Sequence, residues 1–279
     1  MNGAIRNTFT NGMQVNKTPL TLTFLVLLLL PLLPATSQNG RSSHLLLHGA
    51  KVRGDTSKAE IALVFTGDEY ADGGLHISDV LKQQGIKASF FLTGKFYRNS
   101  EFENLIKGLL KDGHYMGAHS DQHLLYCDWV KRDSLLVSQN QFSNDLLDNY
   151  KAMAGFGIDM KDAPFFLPPF EWYNDSISSW TSQMGLELIN HTHGTLSHAD
   201  YTVPGSRGYR SSDEIFQSIL DYEASASNGL NGFILLSHIG TAPERTDKFY
   251  LYLEKLVVEL KSRGYMFKGI DKLLDQPLH

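Results

Sequence analysis

From residue 59 onwards, short apolar runs alternate with stretches whose apolar positions recur every three or four residues. Residues 59–65, from Ala59 to Phe65, form an almost unbroken apolar run, which predicts a strand covered on both faces. Leu75, Ile77, Val80 and Leu81 then mark a short helix that stops at Gly85. The alternation continues through a strand at 87–92, a helix carrying Phe102, Leu105, Ile106, Leu109 and Leu110, a strand at 114–118 and a longer amphipathic helix over 133–153. A strand at 164–167, a helix at 176–184 and a strand at 186–189 follow. Residues 190–210 are polar and glycine-rich and predict a long functional loop. Ser212 then suits an N-cap, with Asp213 and Glu214 in the first turn of a helix reaching about Ala226. A strand at 232–237, a helix at 248–263, a strand at 265–268 and a terminal turn at 271–274 complete the pattern.

Apolar strands each followed by a helix predict a parallel sheet clothed in helices. Six or seven such units predict a distorted, incomplete (β/α) barrel rather than an open sheet. No internal repeat or linker interrupts the pattern, so residues 59–279 are expected to form a single domain after a lead-in at 39–58. In such barrels the chemistry sits at the C-terminal ends of the strands.

The first 38 residues read differently. Arg6 and Lys17 precede the apolar run Leu20–Leu33, with Pro31 and Pro34 near its end and small residues at Ala35-Thr36-Ser37. This is the order of a secretory signal peptide, with an uncleaved N-terminal anchor as the alternative; Met13 offers a second start. The run is shorter than the roughly 20 residues a spanning helix needs. It predicts a secreted, periplasmic or cell-surface protein with no stable membrane span once the leader is cut. Net charge is −5, so no basic field draws nucleic acid. Cys127 is the only cysteine, which excludes an internal disulfide and a thiolate metal cluster. Any metal must use histidine and carboxylate.

Titratable residues follow the predicted strands. Thr66-Gly67-Asp68-Glu69 follows the first and His119-Ser120-Asp121-Gln122-His123 the third. Pro168-Pro169-Phe170-Glu171-Trp172-Tyr173 follows the fourth, and His191, His193, His198 and Asp200-Tyr201 the fifth; Ser237-His238 ends the sixth. On one turn of helix, His119 and His123 would share a face and could close on one cation. With a carboxylate as third ligand, such a cation lowers the pKa of a bound water and polarises an acyl carbonyl. A second carboxylate takes the water's proton, and His238, if protonated, donates to the leaving amine or alkoxide. His191, His193 and His198 are expected in a solvated loop, and Trp180 in the core.

The chain resembles the polysaccharide deacetylase (NodB-like) family, the family 4 carbohydrate esterases, over roughly residues 59 to 274. The resemblance rests on His119-Ser120 and His123 (His-Ser-x-x-His), on Gly85-Ile86-Lys87-Ala88-Ser89-Phe90-Phe91, and on Phe233-Ile234-Leu235-Leu236-Ser237-His238. It implies one divalent metal, with Zn2+ first and Co2+ an alternative, and removal of N- or O-acetyl groups from an acetylated glycan. The family's first motif is Thr-Phe-Asp-Asp-Gly, carrying the base and then a metal ligand. Without a gap, Thr66 and Gly67 fall on those aspartates; a shift of two residues supplies Asp68 as base and Glu69 as ligand. The reverse assignment of Asp68 and Glu69 is open, and Asp72 is a third candidate. Leu167 stands where the family has an arginine before Pro-Pro-Tyr. Glu171, Trp172, Tyr173 and Asp200 are the expected substrate contacts. The implied function is a secreted metal-dependent glycan deacetylase, and the alternative is a catalytically impaired glycan-binding descendant.

Overall fold

The computed structural model describes residues 44–274, together with residue 12 alone. The expected leader at 1–38 therefore lies outside the described residues. A hairpin comes first: β1 (Leu45–Leu47) pairs antiparallel with β2 (Ala50–Arg53) across His48 and Gly49, both at positive φ. Two left-handed residues make the tight turn whose twist matches a hairpin. The lead-in, which was given no elements from sequence, contains this hairpin.

Among the described residues, seven further strands and eight helices then alternate broadly as the periodicity predicts. They are β3 (Glu60–Gly67), α1 (Gly74–Gln83), β4 (Ser89–Leu92), α2 (Gly94–Arg98), α3 (Glu103–Lys111), β5 (Tyr115–Ala118) and α4 (Gln139–Ala154). Then come β6 (Phe165–Phe166), α5 (Asp175–Gln183), β7 (Glu187–Leu188), α6 (Ser212–Ser225), β8 (Phe233–His238), α7 (Leu253–Ser262), β9 (Met266–Lys268) and α8 (Ile270–Leu273). The sheet runs β7-β6-β5-β4-β3-β8, all parallel, with β9 also against β3. β6 and β7 are only two residues long, and the ring between β7 and β8 is closed by Thr192. Its N–H donates to Ile234 O (3.0 Å), and its Oγ1 accepts from Ile234 N (2.9 Å). The fold is thus the distorted, incomplete (β/α) barrel.

Strand alternation sorts the core into two layers. Ile61, Leu63 and Phe65 of β3 face the helices, as do Phe233 and Leu235 of β8. Ala62 and Val64 face the barrel interior with Phe91, Leu167, Ile234 and Leu236. The inward row of β3 next reaches Thr66, and that of β8 reaches His238; these two residues pair across the strands. The period of two therefore delivers one residue from each central strand to the C-terminal mouth of the barrel. Helix α4 starts later than its amphipathic pattern suggests, at a Ser138–Gln141 capping box, leaving 124–138 as a loop beside the mouth.

Candidate active site

A cavity of about 570 Å3 opens at the strand C-termini. It is lined from β3 by Thr66, Gly67, Asp68 and Glu69, and from the segment after β5 by His119 and His123. Phe170 and Glu171, His198, Tyr201 and His238 complete the polar and aromatic wall, with Trp129 and Tyr70 at the rim. Asp68, Glu69, His119, His123, Glu171 and His238 thus share one cavity, as expected of residues at strand ends.

The histidine pair is not on a helix turn. Ser120 and His123 have φ of 73° and 56°, and residues 119–123 form an irregular turn. The turn is shaped by one buried carboxylate on α4. Asp145 accepts from Ser120 Oγ (2.6 Å), Asp121 N (3.3 Å), Gln122 N (3.0 Å) and Tyr126 OH (2.9 Å). One turn further along α4, Asn149 Oδ1 accepts from His119 N (2.8 Å) and its Nδ2 donates to Leu92 O (3.2 Å). Ser120 Oγ also accepts from His123 N (3.0 Å), so the motif's serine sets the second histidine. Asp145 and Asn149 were missed from sequence. Their signal is two polar residues within the buried stripe Phe142, Leu146, Tyr150 and Met153.

The imidazole rings of His119 and His123 lie 5.2 Å apart. His119 is buried, and its Nδ1 donates to Leu167 O (2.8 Å), leaving Nε2 with a free lone pair. Burial, reinforced by the neighbouring His123, holds His119 well below the usual imidazole pKa. Burial also lowers His123, opposed chiefly by the charge of Asp68. Both rings are therefore neutral donors suited to a divalent cation. Gly67, at the strand end, offers no third donor. A Cβ there would lie 2.7 Å from Ile239 Cγ2 and 2.9 Å from Leu92 Cδ2. Among the described residues, no group of three His, Cys, Asp or Glu side chains is disposed to hold a metal ion. Asp68 lines the cavity, with Oδ1 accepting from Thr93 Oγ1 (2.9 Å) and 3.9 Å from Lys95 Nζ. Glu69 is exposed at the rim. Asp72 is drawn away by Thr241 N (2.8 Å), Lys248 Nζ (2.8 Å) and Tyr250 OH (3.1 Å), which excludes it from the site.

On the opposite side, His238 is clamped by Asp200. Nδ1 donates to Oδ1 at 2.6 Å, and the His238 backbone N–H donates to Oδ2 at 2.9 Å. Burial alone would lower this imidazole, but the charge and hydrogen bond of Asp200, with the charge of Glu171, raise it. With Nδ1 committed to Asp200, Nε2 is the ring nitrogen left for the cavity. Thr66, paired with His238 across the strands, has a buried hydroxyl with no hydrogen-bond partner. Glu171 follows Phe170 in a turn where both residues have positive φ, 52° and 59°. For non-glycine residues this costs roughly 1–2 kcal/mol each. Asn190 Nδ2 anchors the turn on Glu171 O (2.8 Å). Burial pushes the Glu171 carboxyl up to about 7, against the pull of His238 and with the repulsion of Asp200.

Three expected substrate contacts have other roles. Asp200 is 2% exposed, and both its oxygens hold His238, so it is a positioning residue. Tyr173 is fully buried, with its hydroxyl on Leu47 O (2.9 Å), because it packs under the hairpin. Trp172 is pinned by Asp128 O on Nε1 (3.1 Å) and by the Arg132 guanidinium 3.8 Å over its ring, outside the cavity lining. The aromatic surface at the mouth is instead Trp129, Phe170 and Tyr201, exposed by 54%, 40% and 53%. Trp129 lies 5.6 Å from Phe170 and 5.5 Å from Trp172. The expected solvated loop is partly core: His191 is 4% exposed and His198 half-buried, whereas His193 is exposed. Trp180 packs against Phe142 in the core.

The family profile for polysaccharide deacetylase matches residues 53–189. A peptidoglycan-N-acetylglucosamine deacetylase of Bacillus cereus is 27% identical over 198 residues, spanning 71% of this chain and 80% of its own length. The peptidoglycan-N-acetylmuramic acid deacetylase PdaA of Bacillus subtilis is 23% identical over 222 residues, 79% of this chain and 73% of that protein. Its fold superposes with a TM-score of 0.62 at 21% identity, covering 81% and 85% of the two chains. A family 4 carbohydrate esterase pseudoenzyme from Bacillus anthracis superposes at 0.64 and 19% identity, covering 82% of this chain and 70% of its own. Residues 53–189 are thus a polysaccharide deacetylase domain by their family profile, and the chain is similar to these deacetylases in sequence and in fold.

Proposed function

We propose that the protein hydrolyses acetyl groups from a glycan at this cavity. The observation that carries the reading is the Asp200–His238 pair, which holds His238 on the wall of the cavity that His119 and His123 also line. His119 and His123 are the residues that would hold a divalent cation, zinc or cobalt being suited to imidazole; when bound, it supplies Lewis-acid polarisation of an acyl oxygen. His238 Nε2–H donates to the leaving nitrogen or oxygen, and Asp200 keeps the ring in the orientation and charge state that allow it. A cavity carboxylate takes the proton of the attacking water. The exposed faces of Trp129, Phe170 and Tyr201 stack on sugar rings, which present C–H faces to aromatic surfaces. The leader-like residues 1–38 support action outside the cytoplasm. Among the described residues no helix is long and apolar enough to cross a membrane.

A second reading, glycan binding without turnover, is favoured by one observation: among the described residues no three His, Cys, Asp or Glu side chains are disposed to hold a metal ion, and β3 ends on Thr66 and Gly67. The name of the Bacillus anthracis relative, a pseudoenzyme, adds to it. Acetate release from N-acetylglucosamine oligomers and O-acetylated xylan, with zinc or cobalt supplied, separates the two. Release that disappears in His238→Ala supports hydrolysis. Binding of the same oligomers with no release supports the second reading and defeats the first.

A further inference from the structure

The end of β3 is Thr66-Gly67, so the strand itself presents no carboxylate to activate water. Asp68 is the sequence candidate, but its Oδ1 already accepts from Thr93 Oγ1 at 2.9 Å and lies 3.9 Å from the Lys95 ammonium. Glu171 differs on each count. Its side chain lines the cavity and makes no hydrogen bond to a described residue, although it sits beside His238 and Asp200. The backbone that carries it is held left-handed at two consecutive non-glycine positions, Phe170 and Glu171. That conformation is fixed by Asn190 Nδ2 on Glu171 O and by Glu171 N donating to Pro168 O (3.2 Å). Backbone strain of this kind persists only where surrounding structure enforces it, and it clusters at functional sites.

We propose that Glu171 is the general base of this site, working beside His238. This rests on the hydrolytic reading above. In the step, the carboxylate takes one proton from water while the water oxygen forms a bond to the acyl carbon. The carbon–nitrogen or carbon–oxygen bond to the sugar then breaks, and His238 Nε2 delivers its proton to the departing atom. The products are the sugar amine or alcohol and acetic acid, which ionises to solvent. Proton transfer from Glu171 to His238 restores both groups. A carboxyl lifted to about 7 by burial is matched to proton transfer near neutrality. The charged and titratable groups around it are His238 on β8, Asp200 and Tyr201 from the loop before α6, and, lining or bordering the same cavity, His119, His123, His198, Asp68, Glu69 and Lys95.

The test compares wild type, Glu171→Gln and Asp68→Asn as full chains, following acetate release from N-acetylglucosamine oligomers between pH 5 and 9 with cobalt bound. Glu171→Gln is expected to lower kcat by roughly 10²- to 10⁴-fold. KM and cobalt content stay at wild-type values, and the fall in rate on the acid side of the profile disappears. Asp68→Asn is expected to keep that acid limb. Glu171→Gln with wild-type kcat, or with only a raised KM, overturns the proposal while leaving hydrolysis standing. Loss of cobalt from Glu171→Gln would make it a ligand and overturn it equally. No acetate from wild type defeats the hydrolytic reading itself, and the proposal with it.

Discussion

Replacing Asp200 with asparagine tests whether the carboxylate holds His238 as a charged pair. Two short hydrogen bonds are at stake, Nδ1 to Oδ1 at 2.6 Å and N to Oδ2 at 2.9 Å, at a carboxylate that is 3% exposed. Hydrogen bonds to charged groups contribute about 1.5–3 kcal/mol net, and removing one partner of a buried pair costs about 3–5 kcal/mol. Asparagine keeps the shape and one acceptor but opposes an amide N–H to one of the two donors. A loss of about 2–4 kcal/mol is therefore expected at pH 6. For a chain of this size that lowers Tm by roughly 2–4 °C per kcal/mol. His238 has its folded pKa raised above the unfolded value near 6.5. The pair's contribution is thus fully present below pH 6.5 and fades as pH rises through the raised value. Urea unfolding at pH 6 and pH 9 should show a larger loss at pH 6. Equal losses at both pH values, or a loss below about 0.5 kcal/mol at pH 6, would refute a charged pair.

Other consequences can be checked alongside. His114 accepts from Ala88 N at 3.1 Å and is held at about 4, by burial and then by the nearby Lys87 charge. Only the unfolded chain takes its proton between pH 6.5 and 4, so stability falls by about 3 kcal/mol as pH drops through that window. His114→Asn keeps an acceptor and should flatten that slope in acid urea titrations; an unchanged slope speaks against it. Gly67→Ala places a methyl 2.7 Å from Ile239 Cγ2, 2.9 Å from Leu92 Cδ2 and 3.0 Å from Phe96 Cε2. Calorimetry should find it destabilised by about 1–3 kcal/mol, and wild-type stability would mean that this side of the strand end is open. Trp129→Ala should weaken oligosaccharide binding by about 2- to 12-fold in titration calorimetry, the equivalent of 0.5–1.5 kcal/mol of aromatic stacking. Trp172→Ala tests the alternative platform; a larger loss there would reverse the assignment.

The barrel was legible because strands covered on both faces leave near-continuous apolar runs, and because period-two alternation carries Thr66 and His238 to the mouth. The rim residues were legible for the same reason: a residue just past a strand end in a barrel has few places to go. What stayed hidden was anything set by long-range polar contact. Nothing local to His119-Ser120-Asp121-Gln122-His123 announces that Asp145, more than twenty residues on, bends it out of a helix. Asp200 was visible as a carboxylate near the mouth, but its partner at His238 is fixed only by folding. That Trp172 is covered while Trp129 and Phe170 stay exposed is a matter of tertiary contact, the Arg132 guanidinium lying over the Trp172 ring. The hairpin at 45–53 was missed because its turn, His48-Gly49, lacks the usual asparagine or aspartate before glycine.

Acetate release tests the hydrolytic function most directly. Purified chain, loaded with zinc or cobalt and given N-acetylglucosamine oligomers and O-acetylated xylan, should release acetate at a rate that rises and falls around neutral pH, and His238→Ala should abolish it. Oligomer binding without acetate from any substrate at any pH would contradict it and leave the cavity as a glycan-recognition site.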